Sequence, residues 1–120
     1  MTDICALSAT TLLKLYRAKE LSPVEATRAV LARIAELNPV LNCFNLIDAK
    51  SALEAARASE ARWTKGTPMG PLDGVPTSIK DIILTKGWPT RRVLLAGSRF
   101  DPQIAVCLWL RERPRQERSR

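Results

Sequence analysis

Gly66, Pro68, Gly70, Pro71, Gly74 and Pro76 fall within eleven consecutive positions of a 120-residue chain. That density excludes a helix interior or a well-paired strand, because proline lacks a backbone donor and glycine loses the most conformational freedom on ordering. The stretch reads as an ordered loop that leads into something short. Past it, Val75, Thr77 and Ile79 alternate with Pro76, Ser78 and Lys80, so the two sets point to opposite faces of a strand. Ser78 and Lys80 share a face, and Pro76 puts the start of the strand at an edge or before pairing begins.

Upstream of the loop the pattern is helical. Ser8 can cap a first helix to about Glu20, with Leu12, Leu13, Leu15 and Tyr16 on one side and Lys14, Arg17 and Lys19 left for water. Ser22, Pro23 and Glu25 spell a capping box with proline at the first helical position. From there Thr27, Val30, Leu31, Ile34 and Leu37 recur at helical steps. The pair Asn38-Pro39 predicts the end, after about fifteen residues, because the residue before proline disfavours helical geometry. Leu41 to Ile47 reads as a strand, with Phe44 and Leu46 alternating with Asn42 and Asn45. Asp48 can cap a third helix with a stripe of Ala52, Leu53, Ala56 and Trp63, and Gly66 supplies its stop.

The chain has no histidine, and Cys5, Cys43 and Cys107 are far apart, odd in number and form no CxxC pair. These facts argue against a zinc site and a disulfide framework. They also exclude a Ser-His-Asp triad within these residues, so proton transfer near neutral pH falls to a shifted lysine, cysteine or carboxylate. Cys43, on a strand, reads as a small core residue rather than a nucleophile. The length suits one domain at most. No apolar run is long enough to cross a bilayer, and MTDICALSATT lacks a basic start and a cleavable apolar core, so the chain reads as soluble and cytoplasmic.

The net charge is +7. Residues 1–90 hold eleven basic and nine acidic side chains, whereas residues 91–120 hold eight arginines and three acids. Basicity is therefore mainly a property of the tail, which weakens a nucleic-acid reading built on Arg111, Arg113, Arg115, Arg118 and Arg120.

Lys80 admits two readings from periodicity alone. One is an edge lysine with its head in water, paired with Asp81. The other is a buried amine kept partly neutral by desolvation and able to act as a base. The run PLDGVPTSIKD, followed by Ile82, Ile83, Leu84 and TKGWPT, resembles the amidase-signature family of Ser-Ser-Lys amide hydrolases. The opening LSATTLLKLYRAKELSPVEATRAVLARIAELNPVLNCF resembles the start of the same family, so the resemblance covers about residues 7–92.

The resemblance implies an α/β fold, with helices packed around a mixed sheet. This chain would be its N-terminal fragment, mostly helical with two or three short strands. It implies that Lys80 is the catalytic lysine, neutral at rest, taking a proton through a bridging serine held on a cis peptide. That serine activates the nucleophilic serine, and backbone amides stabilise the oxyanion. An unperturbed amine, with a pKa near about 10.4, would be almost wholly protonated at neutral pH, so burial belongs to the chemistry. The family's serines lie in a GGSSGG-like stretch, so Ser78 reads as strand support. Asp81 would orient Lys80 or cap the next turn, and Gly74 and Pro76 read as turn-forming. The family chemistry implies no cofactor. Its substrate would be a small amide, an acylated amine, or the glutaminyl group of a tRNA-linked amidotransferase.

No GGSSGG-like stretch occurs in the 120 residues, and Gly97-Ser98 is a lone pair. After about Arg92 the sequence changes character: all six lysines precede residue 91, and the tail uses arginine alone. Residues 1–92 therefore read as the N-terminal part of an amidase domain and residues 93–120 as a divergent Arg-rich tail, frameshifted or disordered. With only the lysine of the triad present, the 120 residues alone are expected to be inactive. They would associate with the missing remainder or with themselves, or act as a non-catalytic interaction fragment.

Overall fold

The computed structural model describes residues 3–80, 83 and 104–106. A 3-10 turn at Ile4–Ala6 precedes three helices, α1 (Ala9–Ala18), α2 (Pro23–Leu41) and α3 (Ala49–Lys65). Three short strands, β1 (Phe44–Ile47), β2 (Ser78–Lys80) and β3 (Ile104–Val106), form one sheet in the order β1-β3-β2. β3 runs parallel to β1 and antiparallel to β2, with Ser78 opposite Val106 and Lys80 opposite Ile104. The described residues are thus mostly helical. β3 lies inside the segment read from sequence as a tail.

The helix starts are local chemistry. Ser8 accepts a hydrogen bond from the Thr11 amide, and Asp48 accepts one from the Ser51 amide. At α2 the box is complete: the Glu25 amide donates to Ser22 Oγ at 3.1 Å, and the Ser22 amide donates to Glu25 Oε2 at 2.8 Å. Each bond satisfies a donor that the first turn of a helix would otherwise leave open. Lys19, Asn42 and Gly66 close the three helices in the left-handed region, with φ of 60°, 49° and 74°.

Three boundaries correct the sequence reading. α2 does not stop at Asn38-Pro39 but continues to Leu41, with Pro39 inside it. Pro39 gives up one helical donor, the one that would meet the Ala35 carbonyl, and the helix ends two residues later. The Asn38 side chain also holds the chain beyond: Asn38 Nδ2 donates to the Phe44 carbonyl at 3.1 Å, and the Phe44 amide donates to Asn38 Oδ1 at 2.8 Å. β1 is correspondingly shorter than the Leu41–Ile47 stretch. On the far side of the loop, β2 spans only Ser78–Lys80, because Val75–Thr77 make no ladder.

Leu12, Tyr16 and Ala26 form the centre of the core, with Ile4, Leu7, Leu13, Leu21, Trp63 and Val75 packed around it. On α3 the buried residues are Ala52, Ala56 and Ser59, spaced along one face. Small side chains on that face let α3 pack against α2. Ser59 completes the stripe. Burying a side chain the size of Leu12 contributes about 2 kcal/mol, so a core this small depends on polar ties as well.

Candidate functional site

The loop from Gly66 to Thr77 is held down by its own carboxylate. Asp73 is buried, at 1% exposure. Arg62 grips it with two bonds, Nε to Oδ2 at 2.8 Å and Nη2 to Oδ1 at 2.6 Å, and the Met69 amide donates to Oδ2 at 2.8 Å. A guanidinium matches a carboxylate in this two-pronged geometry, so the pair fixes direction as well as charge. Burial pushes the Asp73 carboxyl up, but hydrogen bonds from Arg62 and the Met69 amide, the nearby Ser59 hydroxyl and the Arg62 charge outweigh it and hold the group below the usual carboxylate range. Ser59 Oγ itself is buried with no hydrogen bond of good geometry among the described residues, so its effect on Asp73 is one of proximity.

The backbone is tied at the same point. Trp63 Nε1 donates to the Asp73 carbonyl at 3.0 Å, and the Tyr16 hydroxyl donates to the Gly74 carbonyl at 3.1 Å. The two rings stack at a tilt, with centroids 6.0 Å apart. Burial pushes the Tyr16 phenol well above its ordinary range, which keeps it a donor. Gly74 has φ of 84°, and a Cβ placed on it would lie 2.6 Å from Ser59 Oγ and 2.8 Å from Pro23 Cγ. Only glycine fits this position, for conformation and for space alike.

From this anchored point Val75 and Pro76 lead into β2. Ile79 is half-buried, while Ser78 and Lys80 are exposed, the alternation that the residue types predict. The Lys80 carbonyl accepts from the Ile83 amide at 3.0 Å. Lys80 is thus the last residue of β2, and its side chain is exposed. Asp81, the tail arginines and Cys107 lie outside the described residues. A cleft of about 300 Å³ beside the start of β2 is lined by Cys5, Val30, Ile34, Phe44 and Pro76 to Ser78. No group of three or more potential metal ligands occurs among the described residues.

The family model described as Amidase matches residues 25–101, which take in α2, α3, the clamped loop and Lys80. The chain belongs to the amidase family. A Salinispora arenicola protein, named as a subunit of glutamyl-tRNA(Gln) amidotransferase, is 46% identical over 100 residues, which is 83% of this chain and 20% of that protein. A Myxococcus xanthus protein of the same name is 51% identical over 83 residues, 69% of this chain and 16% of that one. The chain thus spans about a fifth of the length of the relatives it matches. No solved structure matches. No helix among the described residues is long and apolar enough to cross a membrane.

Within this amidase segment, sequence reasoning singled out Lys80 and treated Asp73 only as a letter of the motif. Asp73, Arg62, Trp63 and Tyr16 escaped it as a group because their contacts span 10 to 58 residues. One local signal existed: a carboxylate directly before a glycine, in a loop too short of apolar residues to hold itself.

Proposed function

We propose that these residues are the N-terminal part of an amidase domain that cleaves or transfers amide nitrogen, with Lys80 as its acid-base lysine. The observation that carries the reading is the family match across PLDGVPTSIKD, with Lys80 on a strand that leaves a tightly anchored loop. The GGSSGG-like stretch that would hold the family's bridging and nucleophilic serines is not among these 120 residues. In a complete amidase domain the remaining parts of the fold would cover Lys80. The names of the relatives support a more specific role, amide transfer onto glutamyl-tRNA(Gln) within an assembly of several chains. On this reading the sequence of residues 93–120 is divergent, although β3 within it pairs with β1 and β2, and residues 1–120 alone do not hydrolyse amides.

Two measurements test it. The purified 120-residue chain, assayed with a simple aryl or alkyl amide, is expected to show no turnover; turnover lost on Lys80→Ala would refute inactivity. A hybrid in which this chain replaces the matching N-terminal fifth of the Salinispora arenicola relative is expected to be active. In that hybrid Lys80→Ala should lower kcat by about 10³-fold or more, as loss of a triad member does. Undiminished kcat would remove Lys80 from the chemistry.

A further inference from the structure

We propose that the Asp73–Arg62 clamp is a positioning device for Lys80, setting the point and direction from which β2 carries the amine. The proposal rests on the reading of Lys80 as the base. Three side chains from two helices converge on two loop residues: Arg62 and Trp63 of α3 on Asp73, and Tyr16 of α1 on Gly74. For holding a loop to a core, one buried tie would serve. Here both peptide carbonyls and the carboxylate are held at once, and Gly74 sits where no side chain could be accommodated.

The chain leaving the clamp has few free torsions. The Val75 amide donates to the Leu72 carbonyl at 3.1 Å, which closes a turn, and Pro76 has its φ locked by the ring. Lys80 lies six residues beyond Gly74, at most about 20 Å of extended chain. A swing of about 10° at the clamp would therefore displace the lysine by about 3 Å over that length. Catalytic groups tolerate far less, since a misplacement of about 1 Å can cost about 100-fold in rate. The alternative anchor is the ladder between β2 and β3, which could orient the strand without help from the loop.

Residual dipolar couplings of backbone amides in the 120-residue chain separate the two anchors. In the native chain the couplings of Ser78, Ile79 and Lys80 should fit the same alignment tensor as α1 to α3. In Asp73→Asn those three couplings should fall at least about twofold, or leave the common fit, while the helices keep theirs. Asp73→Glu, which restores a carboxylate to Arg62, should recover part of the loss. If Asp73→Asn does not fold, Arg62→Lys decides, because it keeps a positive charge beside Asp73 but removes the two-pronged bond and should shift the same three couplings to a smaller extent. Couplings that still fit the helix tensor in the folded variant tested would overturn the proposal and assign the orientation to the sheet. The measurement involves no catalysis, so it fails independently of the Lys80 reading. Shifted couplings together with full activity of the Lys80→Ala hybrid would leave the strand positioned but refute the purpose assigned to it.

Discussion

Replacing Gly74 with alanine tests the tightest point of the fold. At φ of 84° a residue with a Cβ is in the left-handed region, which costs about 1 to 2 kcal/mol. The new methyl would also meet Ser59 Oγ at 2.6 Å and Pro23 Cγ and Cβ at 2.8 and 2.9 Å. Two of those atoms belong to a ring at the start of α2 and cannot swing away, so overpacking adds about 1 to 3 kcal/mol. The sum is about 2 to 5 kcal/mol, a large share of the stability of a small domain. Gly66→Ala is the internal control: its φ is 74°, but nothing lies within 4 Å of the added carbon, so it should cost only the backbone share of about 1 to 2 kcal/mol. Urea unfolding followed by circular dichroism gives both values from the midpoints at constant slope. In the double variant Ser59→Ala/Gly74→Ala only part of the loss should return, because the Pro23 contacts remain. A Gly74→Ala cost no greater than that of Gly66→Ala would refute the close approach of loop and helices.

Asp73→Asn should destabilise by about 3 kcal/mol, since it strands Arg62 beside a neutral partner. Because the folded Asp73 carboxyl is held below its ordinary value, its contribution is complete above the unfolded pKa of about 3.9 and is lost as pH falls through the folded one. A stability profile from pH 7 downward should therefore lose part of its acid limb in the asparagine variant, and an unchanged limb would exclude Asp73 as its source. Ser22→Ala removes the Oγ that accepts from the Glu25 amide, one half of the capping box, and should cost about 1 kcal/mol in the same urea assay. Lys80→Ala should leave the midpoint within about 0.5 kcal/mol, because the side chain is exposed; a larger drop would mean that the lysine supports the fold rather than chemistry.

The helix starts were legible because each depends on groups within three residues of one another. Ser8 with Thr11, Ser22 with Glu25, and Asp48 with Ser51 are the pairs that spacing predicts. The left-handed stop at Gly66 was legible for the same reason. The end of α2 was misread because the local rule for the residue before proline is a preference of modest size. Two bonds from Asn38 to Phe44 outweighed it, and nothing near Pro39 announces them. Likewise the alternation from Val75 to Lys80 assigned faces correctly to Ser78, Ile79 and Lys80, but strand length depends on a partner. That partner, β3, pairs with residues 24 to 28 positions away.

The sequence by itself determined three capped helices, a loop that could be neither helix nor strand, and a run around Lys80 that carries the family. The helices and the loop follow from torsional limits and short-range hydrogen bonds, which neighbouring residues settle among themselves, and the run around Lys80 is known by its resemblance to the family. Tertiary structure alone decided that Asp73 is a buried anchor, that Gly74 leaves no room for a side chain, and that Tyr16 and Trp63 meet the loop. Those outcomes depend on which surfaces come together across up to 58 residues, and burial converts an ordinary loop carboxylate into the group that holds the strand of the lysine in place.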